Sequence, residues 1–86
     1  MKTYKAIFDK KSYDELKKID WEPAGNIVDF DDSENAVIIT DIEIFQAYLA
    51  WLSAEKGMND KGEVNQYGII LENIYDEFLE TVLVEL

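Results

Sequence analysis

The first residues alternate between apolar and polar side chains. Over residues 3–8, Tyr4, Ala6 and Phe8 fall on one side of an extended chain, and the residues between them fall on the other. A period of two is typical of a strand with one buried face. We therefore predict a first strand over this segment.

A short helix is predicted next. Ser12 and Glu15 have the spacing of a capping box, in which the serine accepts from the glutamate backbone and the glutamate side chain reaches back. Tyr13, Leu16 and Ile19 then share the inward face of this helix. The pattern places the start of the helix at Ser12.

Residues 21–26 contain a proline and a glycine and predict a turn, and VDFDDSENAVIIT at residues 28–40 predicts a hairpin with its tip at residues 33–34. On one face of this hairpin the opposed apolar pairs are Phe30 with Val37 and Val28 with Ile39. Asp29 and Asp31 then point to the opposite face. A shift of one residue would bury both aspartates, so this register is strongly favoured.

A second capping box, from Thr40 to Glu43, predicts that the next helix begins at Thr40. Gly57 is a natural end for it. Its inward face carries residues at helical spacing, namely Ile42, Phe45, Leu49 and Leu52.

A third helix is predicted from Gln66, after a polar loop at residues 59–65. Its apolar residues recur at intervals of three and four, namely Tyr67, Ile70, Leu71, Ile74, Phe78 and Val82. The helix either runs to residue 86 or gives way to a last strand, because residues 81–86 are rich in β-branched side chains.

These elements predict an α+β fold with the order β-α-β-β-α-α and a possible C-terminal strand. About three antiparallel strands would pack against two to three helices. Residues 1–86 show no repeat or linker, so we expect a single domain.

The amino-acid composition excludes several kinds of catalytic and metal-binding site. The chain has no cysteine, histidine or arginine, which removes thiolate sites, the commonest general base and the guanidinium group. We therefore expect no catalytic residues, no cofactor and no metal, and we interpret the protein as not an enzyme. No apolar run approaches the length of a membrane helix and no signal-peptide pattern is present, so we expect a cytoplasmic protein that does not bind membranes.

Charge is distributed unevenly. The net charge is −11, yet residues 1–18 carry +3 and residues 19–86 carry −14. An acidic body repels nucleic acid and attracts basic surfaces. High solubility is the alternative interpretation of the same charge.

Four hairpin carboxylates follow closely on one another, at Asp29, Asp31, Asp32 and Glu34. Asp29, Asp31 and Ser33 have the spacing of the first ligands of a calcium loop. However, that loop needs glycine at its sixth position and glutamate at its twelfth, where this chain has Glu34 and Thr40. The acids are therefore interpreted as candidates for partner binding.

The third helix carries a second acidic group, with Glu72, Asp76 and Glu80 at intervals of four and Glu77 beside them. Like charges at this spacing destabilise a helix, and acids near its C-terminus oppose the helix dipole. A charge pattern that destabilises its own helix without visible compensation is expected at functional sites. A merely solvated acidic face is the alternative.

Two aromatic residues of the second helix, Tyr48 and Trp51, lie outside its apolar stripe. Tyrosine and tryptophan surrounded by acids are typical anchors of protein interfaces, although burial in the core is the alternative for so small a chain.

In size and charge the chain resembles the small acidic inhibitors that phages and mobile elements use against DNA-binding defence proteins, including anti-restriction and anti-CRISPR proteins. No specific residues carry this resemblance. It implies a nucleic-acid mimic that blocks the basic site of a DNA- or RNA-binding protein and does not itself bind nucleic acid. The alternatives are an immunity protein or antitoxin that neutralises a basic toxin, and a homo-oligomeric structural domain, such as a homodimer, that uses residues 67–86.

Overall fold

A computed structural model describes residues 2–86 and confirms the α+β class and the predicted element order. In chain order the elements are β1 (Tyr4–Ile7), α1 (Lys10–Lys18), a 3₁₀ turn (Glu22–Ala24), β2 (Val28–Asp31), β3 (Ala36–Ile39), α2 (Ile42–Lys56), α3 (Gln66–Glu80) and β4 (Leu83–Glu85). The sheet has four strands rather than about three, because the β-branched tail forms β4.

All neighbours in the sheet are antiparallel, in the order β2-β3-β1-β4. The predicted hairpin register is confirmed, with Phe30 opposite Val37, Val28 opposite Ile39, Asp29 opposite Ile38 and Asp31 opposite Ala36. The strand β1 is central, and it pairs with β3 on one side and with β4 on the other.

The core lies between the inner face of the sheet and the helices. Ala6, Val37 and Ile39 are fully buried on the sheet. They join a cluster that includes the helical residues Leu16, Phe45, Leu49, Leu52, Leu71, Ile74 and Phe78. The apolar stripe of α3 is therefore largely used within this molecule.

Both predicted starts of the first two helices are wrong. The N-cap of α1 is Asp9, whose carboxylate accepts from the backbone N of Ser12 at 2.8 Å, so the cap lies three residues before Ser12. The N-cap of α2 is Asp41, because the Thr40 hydroxyl donates instead to the backbone O of Ile27 at 3.0 Å. In both cases an aspartate, which is among the best N-cap residues, takes the position.

Candidate partner-binding surface

Two of the predicted acids are carried by β2 on the outer side of the hairpin. Asp29 is exposed opposite Ile38. Asp31 accepts from the hydroxyl of Ser33 at 2.6 Å and from its backbone N at 3.0 Å, and these bonds hold the pKa of Asp31 below its ordinary value. Asp31 therefore shapes the turn, whereas Asp29 is open to solvent.

The other two hairpin acids are paired with lysines of the basic amino-terminal segment. The Asp32 carboxylate accepts from Lys17 Nζ at 2.8 Å and from the Tyr13 hydroxyl at 2.6 Å, and these contacts lower the pKa of Asp32. Glu34 forms an ion pair with Lys5. The negative charge of the hairpin is thus partly neutralised within the molecule.

Glu77 faces α1 rather than a free surface. Its two carboxylate oxygens accept from the hydroxyl of Ser12 at 2.7 Å and from the backbone N of Asp9 at 2.6 Å. This position is the N-terminus of α1, where the helix dipole favours a negative charge. The unfavourable position of Glu77 near the end of its own helix is therefore offset by a favourable one at the start of another.

Glu72, Asp76 and Glu80 are exposed, and none of them forms an ion pair with another residue between 2 and 86. Glu72 and Asp76 lie on the edge of a groove between α2 and α3. They are the acids of α3 that the fold leaves uncompensated.

This groove has a volume of about 550 Å³ and a mostly apolar lining. Besides the two acids, it is lined by Leu49, Ala50, Ser53, Ala54, Met58, Leu71 and Tyr75. The groove is therefore open and apolar, with carboxylates on the side formed by α3.

The outer side of α2 continues this apolar surface. Its exposed residues include Ile44, Ala47, Ala50, Trp51 and Ala54. A surface helix of a globular protein normally presents charged and polar residues to solvent. On α2 the charges are confined to Glu43 near its start and to Glu55 and Lys56 near its end. An apolar solvent-facing side is a feature of helices that contact a partner.

Trp51 is the largest side chain of this surface, with 48% of its area exposed. Its ring stacks on Tyr48, with 5.8 Å between centroids and 14° between planes. The Tyr48 hydroxyl donates to the backbone O of Asp20 at 2.6 Å, and its ring contacts the buried Trp21 at 5.3 Å. Tyr48 therefore lies between Trp51 and the core and packs against the Trp51 ring. Burial of the Tyr48 hydroxyl raises the pKa of Tyr48.

Two glycines bring α2 and α3 close enough to form the groove. A Cβ on Gly68 would lie 2.2 Å from the backbone O of Gly57, so only glycine fits there. Asn65 fastens the same junction, because its side chain accepts from Gly68 N at 2.8 Å and donates to Lys56 O at 3.0 Å. The sequence predicted Gly57 as a helix end, but its contact with Gly68 was missed, since nothing local indicates it.

We define the α2–α3 face as the exposed outer side of α2 together with this groove and its acids. Four of the predicted site residues belong to this face: Glu72 and Asp76 line the groove, whereas Tyr48 and Trp51 stack against each other on α2. The hairpin acids are placed elsewhere, since their bonds are to α1, to β1 and within the hairpin, and no hairpin residue lines the groove.

No protein-family model, curated protein or solved structure matches this chain. Among residues 2–86, no three potential metal-ligating side chains are grouped closely enough to hold an ion. In the same part of the chain, no helix has the length and apolar character needed to span a membrane. The α2–α3 face is consequently described by its own chemistry alone.

Proposed function

We propose that this protein is a non-enzymatic binding protein that blocks the basic site of a DNA- or RNA-binding protein. The observation that carries the proposal is the α2–α3 face, where α2 carries an exposed tryptophan and also borders an apolar groove, whose carboxylates have no counter-ion in the described chain. Such a surface suits a partner that presents lysines and arginines around an apolar side chain. In this proposal the protein works in the cytoplasm.

Charge favours a nucleic-acid-binding partner over other classes. Proteins that grip phosphates concentrate lysine and arginine at one site, and a body of charge −14 over residues 19–86 is attracted to such sites. Glu72, Asp76 and Glu80 are spaced about 6 Å apart along their helix, which is sparser than the phosphates of a duplex. The acids therefore provide attraction and orientation, while Trp51 and the groove provide apolar contact.

The test is capture of proteins from the heparin-retained fraction of a cell lysate, followed by elution with duplex DNA or RNA. We expect the wild-type protein to capture a partner that nucleic acid releases, and binding to weaken steeply as salt is raised, because exposed charges are screened. Glu72→Lys with Asp76→Lys should abolish capture. Asp60→Lys with Glu63→Lys makes the same change of net charge in the exposed loop and should reduce capture only slightly.

The apolar contribution is tested separately. Trp51→Ala should weaken binding of the captured partner at all salt concentrations, whereas Ile69→Ala, which removes a similarly exposed apolar side chain from another side of α3, should not. Asp29→Lys tests whether the hairpin contributes to partner binding, as the sequence predicts for this residue. Salt-insensitive capture, or capture that survives reversal of both groove acids, would refute the proposal.

A further inference from the structure

The C-terminal strand leaves one edge of the sheet open. All three residues of β4 are exposed, and the strand pairs only with β1 in the part of the chain described. Unpaired edge strands are templates for pairing with another chain, and proteins usually guard them with charged residues, proline, a bulge or a very short strand. The strand β4 is short, but residues 81–86 contain no lysine or proline, and their only acid is Glu85.

The hydrogen-bond pattern fixes which backbone groups of β4 are free. Leu86 N donates to Thr3 O at 2.8 Å, so Thr3 and Leu86 form a hydrogen-bonded pair. Such pairs alternate along an antiparallel ladder, so Val84 bonds to its partner Lys5. The N–H and C=O groups of the residues on either side of Val84, positions 83 and 85, therefore point away from β1.

The other edge of the sheet is guarded. On β2 the side chains of Asp29 and Asp31 alternate with apolar residues, so a second copy paired there would bring like charges together. The outer face of β4 carries Val84, with Val82 and Leu86 at the same spacing to either side. These three side chains are 47%, 78% and 64% exposed, respectively.

Of the surfaces of this molecule, the β4 edge is the one where charge opposes a second copy least. The only acid in β4 is Glu85, and it lies 3.6 Å from Lys2, so the edge is locally balanced. Most other surfaces of a molecule with a net charge of −11 would repel a second copy. The α2–α3 face, with its free carboxylates, is one of the surfaces that would repel a second copy.

We infer that β4 pairs antiparallel with β4 of a second copy, about a two-fold axis at Val84. In this register Leu83 of each copy lies opposite Glu85 of the other. The free N–H and C=O groups at these positions then form four hydrogen bonds between the two copies. Val84 faces Val84 of the second copy, and Val82 faces Leu86. The strand is thus complementary to itself in both hydrogen bonding and apolar contact, and the dimer joins the two four-stranded sheets into one.

Single thiols test this register, because the native chain contains no cysteine. Val84→Cys places two thiols across a non-hydrogen-bonded pair, whose Cα atoms lie about 4.5 Å apart, within the range of a disulfide. In Leu83→Cys and in Glu85→Cys the two thiols are offset by two residues and separated by roughly 8–9 Å, which is too far. Under mild oxidation, we expect Val84→Cys to form a covalent dimer at least tenfold faster than either control.

A charge exchange tests the same axis without a covalent bond. Val84→Lys and Val84→Glu should each sediment as monomers, because the substituted side chain would face the same charge on the second copy. An equimolar mixture of the two variants should form a heterodimer, because opposite charges then face each other. Circular dichroism checks that each variant is folded. Wild-type protein should show a mass that rises with concentration, because a short edge contact gives a weak dimer.

The inference is overturned if the wild type is still a monomer at about 1 mM, which corresponds to a binding free energy weaker than about −4 kcal/mol. Equal oxidation rates for the three thiol variants would also overturn it. A mixture of the lysine and glutamate variants that stays monomeric would contradict the two-fold axis at Val84.

Discussion

Tyr13 shows how one side chain links three parts of the molecule. Its ring is buried in the core beneath Phe30, with 5.8 Å between centroids, while its hydroxyl reaches Asp32 at the hairpin tip. Burial, with a further contribution from Asp32, raises the pKa of Tyr13 to about 12. The hydroxyl thus stays protonated as a donor to the carboxylate, and α1 is tied to the hairpin.

Tyr13→Phe should destabilise the protein by about 1 kcal/mol near neutral pH, because a hydrogen bond to a carboxylate is lost while the ring remains. Urea unfolding measures the change. Tyr4→Phe is the matched control, since no hydrogen bond of the Tyr4 hydroxyl is found within residues 2–86, and its effect should stay within about 0.5 kcal/mol. An equal loss in both variants would contradict the role given to the Tyr13 hydroxyl.

The same residue predicts a loss of stability at alkaline pH. The folded protein holds the Tyr13 proton to about pH 12, whereas an unfolded chain releases it near 10.0. Its stabilising contribution is therefore complete below pH 10.0 and is lost as pH rises towards 12. Compared with the wild type, Tyr13→Phe should show a shallower fall of unfolding free energy across this interval.

At the scale of elements, the junction of α2 and α3 depends on the closeness of two backbones. Gly68→Ala would place a methyl group against the backbone O of Gly57, which cannot move without shifting α2. We expect a destabilisation of about 2 kcal/mol or more, measured by thermal or urea unfolding. Asn73→Ala, at an exposed position of the same helix, should change stability by less than about 0.5 kcal/mol. A stable Gly68→Ala variant would mean that the helices separate at little cost.

The charges of α3 suggest that binding and stability are in conflict. The last turn of this helix has no basic residue, and Asp76 lies one turn before Glu80. Glu80→Lys supplies both a favourable dipole interaction and an opposite charge for Asp76. It should stabilise the protein by about 0.5–1 kcal/mol, and Glu80→Gln by roughly half as much. Unfolding by urea measures both variants, and a loss of stability in the lysine variant would contradict this account.

Across the molecule, every ion pair within residues 2–86 uses a lysine of the first 18 residues. Lysines of the first 18 residues pair with the hairpin, with α1 and with β4. Glu72 and Asp76 have no such counter-ion within residues 2–86. Two of the unpaired acids therefore lie beside the groove, while the β4 edge is locally neutral.

Self-repulsion in such a molecule predicts opposite effects of salt on folding and on partner binding. Raising ionic strength from about 0.01 M to about 0.15 M shortens the screening length from about 30 Å to about 8 Å. The melting temperature should rise, because repulsion among the acids weakens, while affinity for a basic partner should fall. Glu80→Lys changes the net charge from −11 to −9 and should show a smaller rise in melting temperature. A melting temperature that falls with salt would contradict this prediction.

Much of the fold was predictable from local pattern. The alternation in the hairpin gave its register, because a shift of one residue exposes its apolar side chains and buries its aspartates. The helix starts were wrong by one to three residues, because two aspartates competed with Ser12 and Thr40 for the cap, and the hydroxyl groups of both were needed by distant partners, Glu77 and Ile27.

The order of the elements, most of their buried apolar positions, and the lack of cysteine, histidine and arginine follow from the sequence alone. Which acids are free depends on how the chain packs. Asp32 and Glu34 are neutralised by lysines 15 and 29 residues away, and Glu77 is used 65 residues away at α1. Local periodicity reports on neighbours within a few positions, whereas ion pairs and open edges depend on how whole elements pack, so the α2–α3 face and the β4 edge emerge only from the folded chain.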